Sequence, residues 1–600
     1  MPSTSRFLAW LRAVGAIVSE RGQALTRKIP ALGIDESTLL VGLAVAIGAV
    51  VGLAVILFYK LIDVTQALAL SAAGSMTGIG SLSIAVVVVA GLALTRVLVI
   101  YGANDSDGEN IPDVTRAVAK RGGMIRAIPV AVKTAGAAIA IGAGGSVGAE
   151  GPVAVAGAAL GSRIGRFCRS SPVRLRVLVA CGSAAGISAA FNAPIAGVFF
   201  SLEKVLGTFG VSAFPPILVA SVIAAAVSRA FFGSAPVIEI PEQYGIGSAS
   251  ELILYALLGV VTGLVAVFYT RGMYVIPDLL GRFKSTWARV VAAGVVVASL
   301  NIVFRADLWG RGHETLNIGI IGEREAYFLI ALAFAKLIAT SMTVAATRAG
   351  GVFTPALFIG ATLGGGLASA ASGLLPGFNI VPEAFALVGM AGLVAGATHA
   401  PLTAIMIVFE MTSDYDLILP LMLTGAIAYI TARRIYPHSI YSEWLVRKGE
   451  RIAHGRDTAL LEQLEVRRCY NPDPHVIGET ATVPQIIKAI GSSPQTEFPV
   501  IDSELRFLGM LTYDDLRTVI ADAESLGEVV VAGDLANSEY ESVTRQDTLH
   551  TALQRLGVRG SHHIPVVDAD DNGKLVGLVS RQEIFAAYDR ALLAETEGSL

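Results

Sequence analysis

The sequence predicts an all-α, multi-pass membrane domain followed by a small α/β soluble tail, and three observations predict it. Hydrophobic residues make up 54% of the 600 positions and charged residues only 16%, whereas soluble domains are about a quarter charged. The apolar excess lies in long uncharged runs, many interrupted by Pro or by some of the 64 glycines. Near Tyr441 the composition turns polar: Glu443–Arg468 is rich in Glu, Arg and Lys, and no membrane-length run follows.

At the N-terminus, residues 1–36 carry Arg6, Arg12, Glu20 and Arg21 through an apolar background. A secretory signal has an uncharged apolar stretch and a small-residue cleavage site, so this segment reads as an amphipathic helix on the membrane surface. With Arg27 and Lys28 it favours a cytoplasmic N-terminus. The membrane domain is expected over 37–445. Its apolar runs include Thr38–Tyr59, Ser83–Thr95, Pro216–Val227, Leu252–Tyr269, Val290–Val303 and Tyr327–Ala346. Crossing the hydrocarbon core takes about 20 apolar residues, and several runs are shorter. Backbone broken at membrane depth must be buried in protein or line a polar cavity, which suits a transporter or channel. Gly142–Pro152 and Arg348–Pro355 each run Gly-Gly, then Gly-x-x-x-Pro, into an apolar helix. Such similarity is what two inverted, pseudo-symmetric halves with broken helices leave behind.

After a linker over 446–470, the tail repeats. Glu497-Phe498-Pro499-Val500-Ile501-Asp502 leads to Phe507-Leu508-Gly509-Met510-Leu511-Thr512, and His563-Ile564-Pro565-Val566-Val567-Asp568 leads to Leu575-Val576-Gly577-Leu578-Val579-Ser580. Each pair reads as strand, polar turn, strand, then helix (Asp514–Ile520, Arg581–Arg590), with a helix upstream (Val483–Ile490, Thr548–Leu556). Two β-α-β-β-α units are therefore expected over 471–526 and 527–592, followed by 593–600. Such units associate because one alone cannot bury its sheet face.

Several functions are disfavoured. The net charge is −3 without a basic patch, which argues against nucleic acid. Cys168, Cys181 and Cys469 show neither disulfide nor metal-ligand spacing. No HExxH or P-loop pattern occurs, so neither an enzyme, a metal site nor a required cofactor is expected.

An anion inside a membrane must be dehydrated and held, yet released again. Helix N-termini offer unpaired N–H groups and about half a positive charge. Three Gly/Pro-punctuated helix starts fit: Gly108-Glu109-Asn110-Ile111-Pro112, Gly148-Ala149-Glu150-Gly151-Pro152 and Gly351-Val352-Phe353-Thr354-Pro355. Any one of them taken alone reads more simply as a plain helix boundary.

Together these motifs resemble the CLC family of chloride channels and chloride/proton exchangers. Gly144–Pro152 is similar to the family's gating-glutamate motif and Gly350–Pro355 to its second anion-coordinating turn; Phe191–Gly197 and Gly396–Leu402 resemble further family segments. The tail resembles a tandem CBS pair. The resemblance implies that Glu150 is the gate and that Asn110, Ile111, Gly151, Val352, Phe353 and Tyr441 bind the anion, Val352 and Phe353 through backbone N–H groups and Tyr441 through its hydroxyl. It also implies a homodimer with one path per subunit.

Two departures from the family pattern stand out. Glu109 occupies a serine position, where it either plugs the helix N-terminus, donates in protonated form, or turns away and caps the helix. Lys204 falls where exchangers carry an internal glutamate, with Glu203 one residue off and about 100° around a helix. Lys204 passes protons only if it sheds its charge; otherwise it is a fixed cation that attracts anions. This favours a channel or weakly coupled transporter of chloride, with an antiporter, or a carrier of fluoride, nitrate or bicarbonate, as alternatives, and a non-conducting nucleotide sensor further off. In the tail, Thr512 and Asp515, echoed by Ser580 and Glu583, resemble the Thr-x-x-Asp with which CBS pairs hold an adenine nucleotide. Solvated helix-start charges are the simpler reading, and Glu583 in place of an Asp weakens the nucleotide case. A bacterial plasma membrane with a cytoplasmic tail is the expected location.

Overall fold

The structure, a computed structural model, describes residues 36–597 except 77–80, 106–109, 235–237, 239–250, 306, 311–320, 322–323, 376–379, 450–455, 492, 494, 513–514, 516–529, 539, 560, 570 and 572. The N-terminal segment, Glu109 and most of the helix expected at Asp514–Ile520 lie outside the described residues. The chain forms two compact units, Met1–Ile452 and Ala453–Leu600.

Among the described residues the regular elements of the first unit are helices: α1 Glu36–Ser75, α2 Leu82–Gly102, α3 Ile111–Lys120, α4 Ala127–Gly142, α5 Glu150–Phe167, α6 Pro172–Phe191, α7 Pro194–Phe200, α8 Phe214–Phe232, α9 Glu251–Leu280, α10 Thr286–Val303, α11 Ala326–Thr347, α12 Phe353–Ser372, α13 Pro382–Thr398, α14 Pro401–Thr412, α15 Ile418–Ile435 and α16 Ser442–Arg447. Among the described residues nine of these are long and apolar enough to cross a membrane. Each apolar run read from the sequence lies inside one of them. Among the helices without such a run, α5, α6, α12 and α13 are rich in Gly and Ala and form the buried centre.

Small residues there permit close approach. A Cβ on Gly157 would strike the Gly182 carbonyl and one on Gly182 the Gly157 carbonyl; Gly360 and Gly389 stand in the same relation. Thus α5 packs on α6, and α12 on α13, through the same device, as small-residue interfaces do in membranes. Valine at Gly182 or at Gly389 is expected to abolish the monodisperse peak on gel filtration in detergent, because the opposing atom is backbone and cannot rotate aside.

Breaks between helices recur in register. Asn192 and His399 both cap preceding helices in the left-handed region, φ 56° and 54°, and each is followed by Ala-Pro opening α7 or α14. Proline suits the first helical turn, where its missing N–H leaves no bond unmade. The two halves meet antiparallel where Gly148 and Gly351 exchange both backbone hydrogen bonds, each 2.8 Å.

The second unit holds α17 Arg456–Gln463 and two matching three-stranded sheets. In the first, β1 Ile477–Gly478, α18 Val483–Gly491, β2 Glu497–Ile501 and β3 Phe507–Thr512 are followed by α19 Ala532–Leu535; in the second, β4 Val543–Thr544, α20 Leu549–Arg559, β5 His563–Val567 and β6 Leu575–Ser580 are followed by α21 Arg581–Glu597. Each sheet pairs its first two strands parallel and its last two antiparallel, with a register shift at the same place. The parallel step needs a crossover, which α18 and α20 supply. Ile486, Phe498 and Val500 fill one core, and Leu549, Ile564 and Val566 the other.

Glu497, at the start of β2, ties the two repeats together. Its carboxylate accepts the backbone N–H groups of His562 (3.2 Å) and His563 (2.8 Å) and lies 3.4 Å from His563 Nδ1. Burial alone would raise its pKa, but the His563 imidazole and the two N–H groups outweigh burial and hold the carboxyl below its usual range. A depressed carboxyl contributes stability above its unfolded pKa and loses it as pH falls through the folded value. Glu497→Gln is expected to cost the tail about 1–3 kcal/mol at pH 7. The variant's thermal transition, followed by calorimetry of the full chain, should also vary less with acidification below pH 5 than the parent's.

Candidate functional site

The Gly148–Gly351 exchange sets two helix starts against each other. Glu150, first residue of α5, is 1% exposed. Its side chain crosses to the N-terminus of α12, where Oε1 accepts from Phe353 N (2.6 Å) and Thr354 N (2.9 Å), and Oε2 accepts from Thr354 Oγ1 (2.5 Å). Those amides are orphan donors of a helix start, the groups that suit an anion. The carboxylate therefore stands where an anion would stand. Gly351 has room for no side chain here, since a Cβ would lie 2.5 Å from Glu150 Oε1 and 2.8 Å from Gly151 N.

Beside this contact lies a cavity of about 150 Å³ lined by Asn110, Ile111, Gly151, Val352 and Tyr441, among others. The Tyr441 hydroxyl is buried with no hydrogen-bond partner among the described residues, a donor left for whatever fills the cavity. Two further tyrosines brace the walls: Tyr269 Oη donates to the Val352 carbonyl (2.7 Å) and Tyr274 Oη to that of Ile440 (2.6 Å). Asn110 opens α3, its N–H donating to Asp113 Oδ2 at 3.2 Å. Asp105, just before the undescribed 106–109, is held by Arg96 (2.7 Å) and Arg348 (3.3 Å).

Most residues singled out in the sequence thus converge, with two differences. Thr354, which the sequence reading did not assign to the site, holds Glu150 with both its amide and its hydroxyl. Lys133, on α4, is buried and lines the cavity. Sequence reasoning passed over both. For Lys133 the signal existed, because an ionisable residue within an apolar run is a functional candidate by default.

Lys204 and Glu203 lie in a widened, π-helical turn over Ser201–Leu206. Lys204 Nζ donates to the His399 carbonyl at 2.8 Å, a cation at the C-terminal end of α13, where the helix dipole favours it. Glu203 accepts from Leu402 N (3.2 Å), Thr403 N (2.9 Å) and Thr403 Oγ1 (2.5 Å). Glu410, on α14, returns the contact by accepting from Ile195 N (2.9 Å) and Ala196 N (2.7 Å) at the start of α7. Glu203 is thus built as Glu150 is, on two amides and a threonine hydroxyl at a helix start.

In the tail, Asp515 Oδ2 accepts from Thr512 N (2.8 Å) and Oγ1 (2.6 Å), and Glu583 Oε2 from Ser580 N (2.7 Å) and Oγ (2.8 Å). Both acids are engaged by the helix-start residue three positions earlier in their own repeat. Thr512 pairs with Glu497 across its sheet, and Ser580 with His563.

Comparison with known proteins agrees with this architecture. A family model described as Voltage gated chloride channel matches residues 86–433, and a CBS domain model matches 466–522 and 532–590. A ClcB-like chloride channel protein of Ralstonia nicotianae is 35% identical over 60% of this chain and 85% of its own. The H(+)/Cl(-) exchange transporter ClcA of Yersinia pestis is 30% identical over 70% of this chain and 90% of its own. A solved eukaryotic CLC transporter covers 92% of this chain and 99% of its own, with a TM-score of 0.62 at 21% identity. A slow cyanobacterial Cl-/H+ antiporter covers 69% of this chain and 98% of its own, with a TM-score of 0.61 at 24% identity.

Proposed function

Since the chain belongs to the voltage gated chloride channel (CLC) family and carries two CBS domains, we propose that it moves chloride through one path per subunit of a homodimer, gated by Glu150 and at most weakly coupled to protons. The observation that carries this reading is the Glu150 carboxylate on the amides of Phe353 and Thr354. Ionised, it competes with an anion for the same donors. Protonated, it loses charge-assisted bonds and yields the site. Lys133 and the Tyr441 hydroxyl face the adjoining cavity, one supplying charge and the other a neutral donor.

Weak coupling is supported on the proton side. Lys204 stands where an internal glutamate would stand in exchangers, and its ammonium is engaged by a backbone carbonyl. A coupled exchanger is the second reading, because the neighbouring Glu203 keeps a carboxylate within the same turn. Arg433 and Arg434 in the last turn of α15 support a cytoplasmic end there, hence a cytoplasmic tail, in a bacterial plasma membrane. An adenine nucleotide at the tail would have to displace Asp515 or Glu583 from its own threonine or serine.

Chloride efflux and external pH recorded together on proteoliposomes test the reading. Efflux with little or no proton movement is expected. Stoichiometric uphill proton movement would replace it with the exchanger, and Glu203→Gln would then identify the carboxylate responsible.

A further inference from the structure

Lys336 is a buried lysine that does not line the cavity beside Glu150. It lies on α11, fifteen residues before Gly351, as Lys133 on α4 lies fifteen before Gly148. The two lysines occupy matching places in the two halves, yet only Lys133 is among the residues lining the cavity. Lys336 is 0% exposed. Its Nζ donates to the carbonyls of Leu308 (3.1 Å) and Gly310 (3.0 Å) and sits 4.8 Å from the centre of the Phe358 ring. Burying a lysine amine is costly unless partners replace its water, and here two carbonyls and an aromatic face do so.

The two carbonyls flank Trp309. The indole Nε1 of Trp309 donates to the Gly142 carbonyl at 3.3 Å, closing an orphan acceptor at the end of α4. Its ring lies against Gly144, where any Cβ would meet it at 2.9–3.0 Å and where φ is +90°. Asn301 Nδ2 donates to the Gly144 carbonyl (3.3 Å). Two residues on, Ser146 is gripped from α11 itself: its N–H donates to Thr343 Oγ1 (3.1 Å) and its hydroxyl pairs with Thr340 Oγ1 (3.1 Å). Lys336, Thr340 and Thr343 lie at i, i+4 and i+7, on one face of α11. Four residues beyond Ser146 the chain reaches Glu150. On α12, Phe358 stands one turn, about 6 Å, beyond Thr354, which holds the Glu150 carboxylate.

We propose that Lys336, through the Leu308–Gly310 turn and Trp309, is a positioning residue for the Glu150 gate. It fixes the Gly142–Ser146 segment so that the carboxylate reaches the amides of α12. The proposal rests on the reading of Glu150 as the gate. Three charge-assisted bonds of 2.5–2.9 Å tolerate little displacement, so slack in the segment favours the undocked carboxylate and raises flux.

The test is chloride efflux per gel-filtered protein in liposomes at pH 7.5, for Lys336→Met, Trp309→Ala and Trp309→Phe, each with and without Glu150→Ala. Lys336→Met and Trp309→Ala are expected to raise efflux at least threefold, towards the level of Glu150→Ala. Trp309→Phe, which keeps a ring over Gly144, should stay near the parent. None of the three should change the rate once Glu150 is alanine, since contributions acting through one group are not additive. Should Lys336→Met fail to yield a gel-filtration peak, the two Trp309 variants decide the matter. A parent-like rate in Lys336→Met and Trp309→Ala, or the same fractional change in both backgrounds, would overturn the brace and leave these residues as general packing. Equal efflux in the parent and Glu150→Ala would overturn the gate itself, and is seen without any brace variant.

Discussion

Chloride efflux through Glu150→Ala is expected to exceed that of the parent at least tenfold at pH 7.5 and to lose its dependence on pH. Two amides and one hydroxyl hold the carboxylate. A hydrogen bond to a charged group contributes about 1.5–3 kcal/mol, and about 1.4 kcal/mol is a factor of ten. If Glu150 is the gate, displacing its side chain is a barrier that an entering anion meets. Acidification protonates Glu150 and weakens its hold, so parent efflux should rise as pH falls, whereas the alanine variant has nothing to protonate. Efflux measured from pH 4.5 to 8 with both proteins checks this. A parent rate that is flat with pH, or an alanine variant that still responds, would place the gate elsewhere.

Lys133→Met, made in the Glu150→Ala background, is expected to weaken chloride binding about 30-fold or more. The lysine is buried on α4 and faces the same cavity as the Tyr441 hydroxyl and the Val352 side of α12. Removing one member of a desolvated charge pair costs about 2–5 kcal/mol. Methionine keeps the apolar stem, so packing is largely retained. Calorimetric titration with chloride reads the change directly, and a gel-filtration profile shows that the fold has survived. An unchanged affinity would mean that the ammonium is balanced by protein groups and contributes nothing to the anion.

The order of elements was readable because each carries a local signature. Uncharged runs marked the lipid-facing helices, and the Pro-Val-Val/Ile-Asp strands with their Gly-centred partners marked both tail sheets. Gly148, Glu150, Gly351 and Phe353 were legible as helix starts. Their mutual contact was not, because nothing local to Gly148 says that Gly351, about 200 positions away, completes its hydrogen bonds. The Gly/Ala-rich helices α5, α6, α12 and α13 showed no lipid-facing run because their faces are buried by protein on nearly all sides, which removes the need for bulk. Thr354 was overlooked because a threonine beside Pro355 reads as an ordinary helix start, and only the approach of Glu150 gives its hydroxyl a carboxylate to bind. Lys336, an ionisable residue inside the apolar run Tyr327–Ala346, carried the same signal as Lys133, but its partners and that of Trp309 are backbone carbonyls, which leave no mark on composition. For Glu203 the 100° offset from Lys204 does separate the two, and its partner is the N-terminus of α14, a long-range pairing that Glu410 repeats in reverse.

The central claim is that the N-terminus of α12 is an anion site for which the Glu150 carboxylate competes. A bromide-soaked crystal structure of Glu150→Gln beside the parent at pH 7.5 tests it most directly, through the anomalous signal of the ion. The account predicts a bromide peak in the variant within hydrogen-bond distance of the Phe353 and Thr354 amides, and in the parent the carboxylate in that place. Bromide on those amides in neither protein, or in both with Glu150 undisplaced, would contradict it.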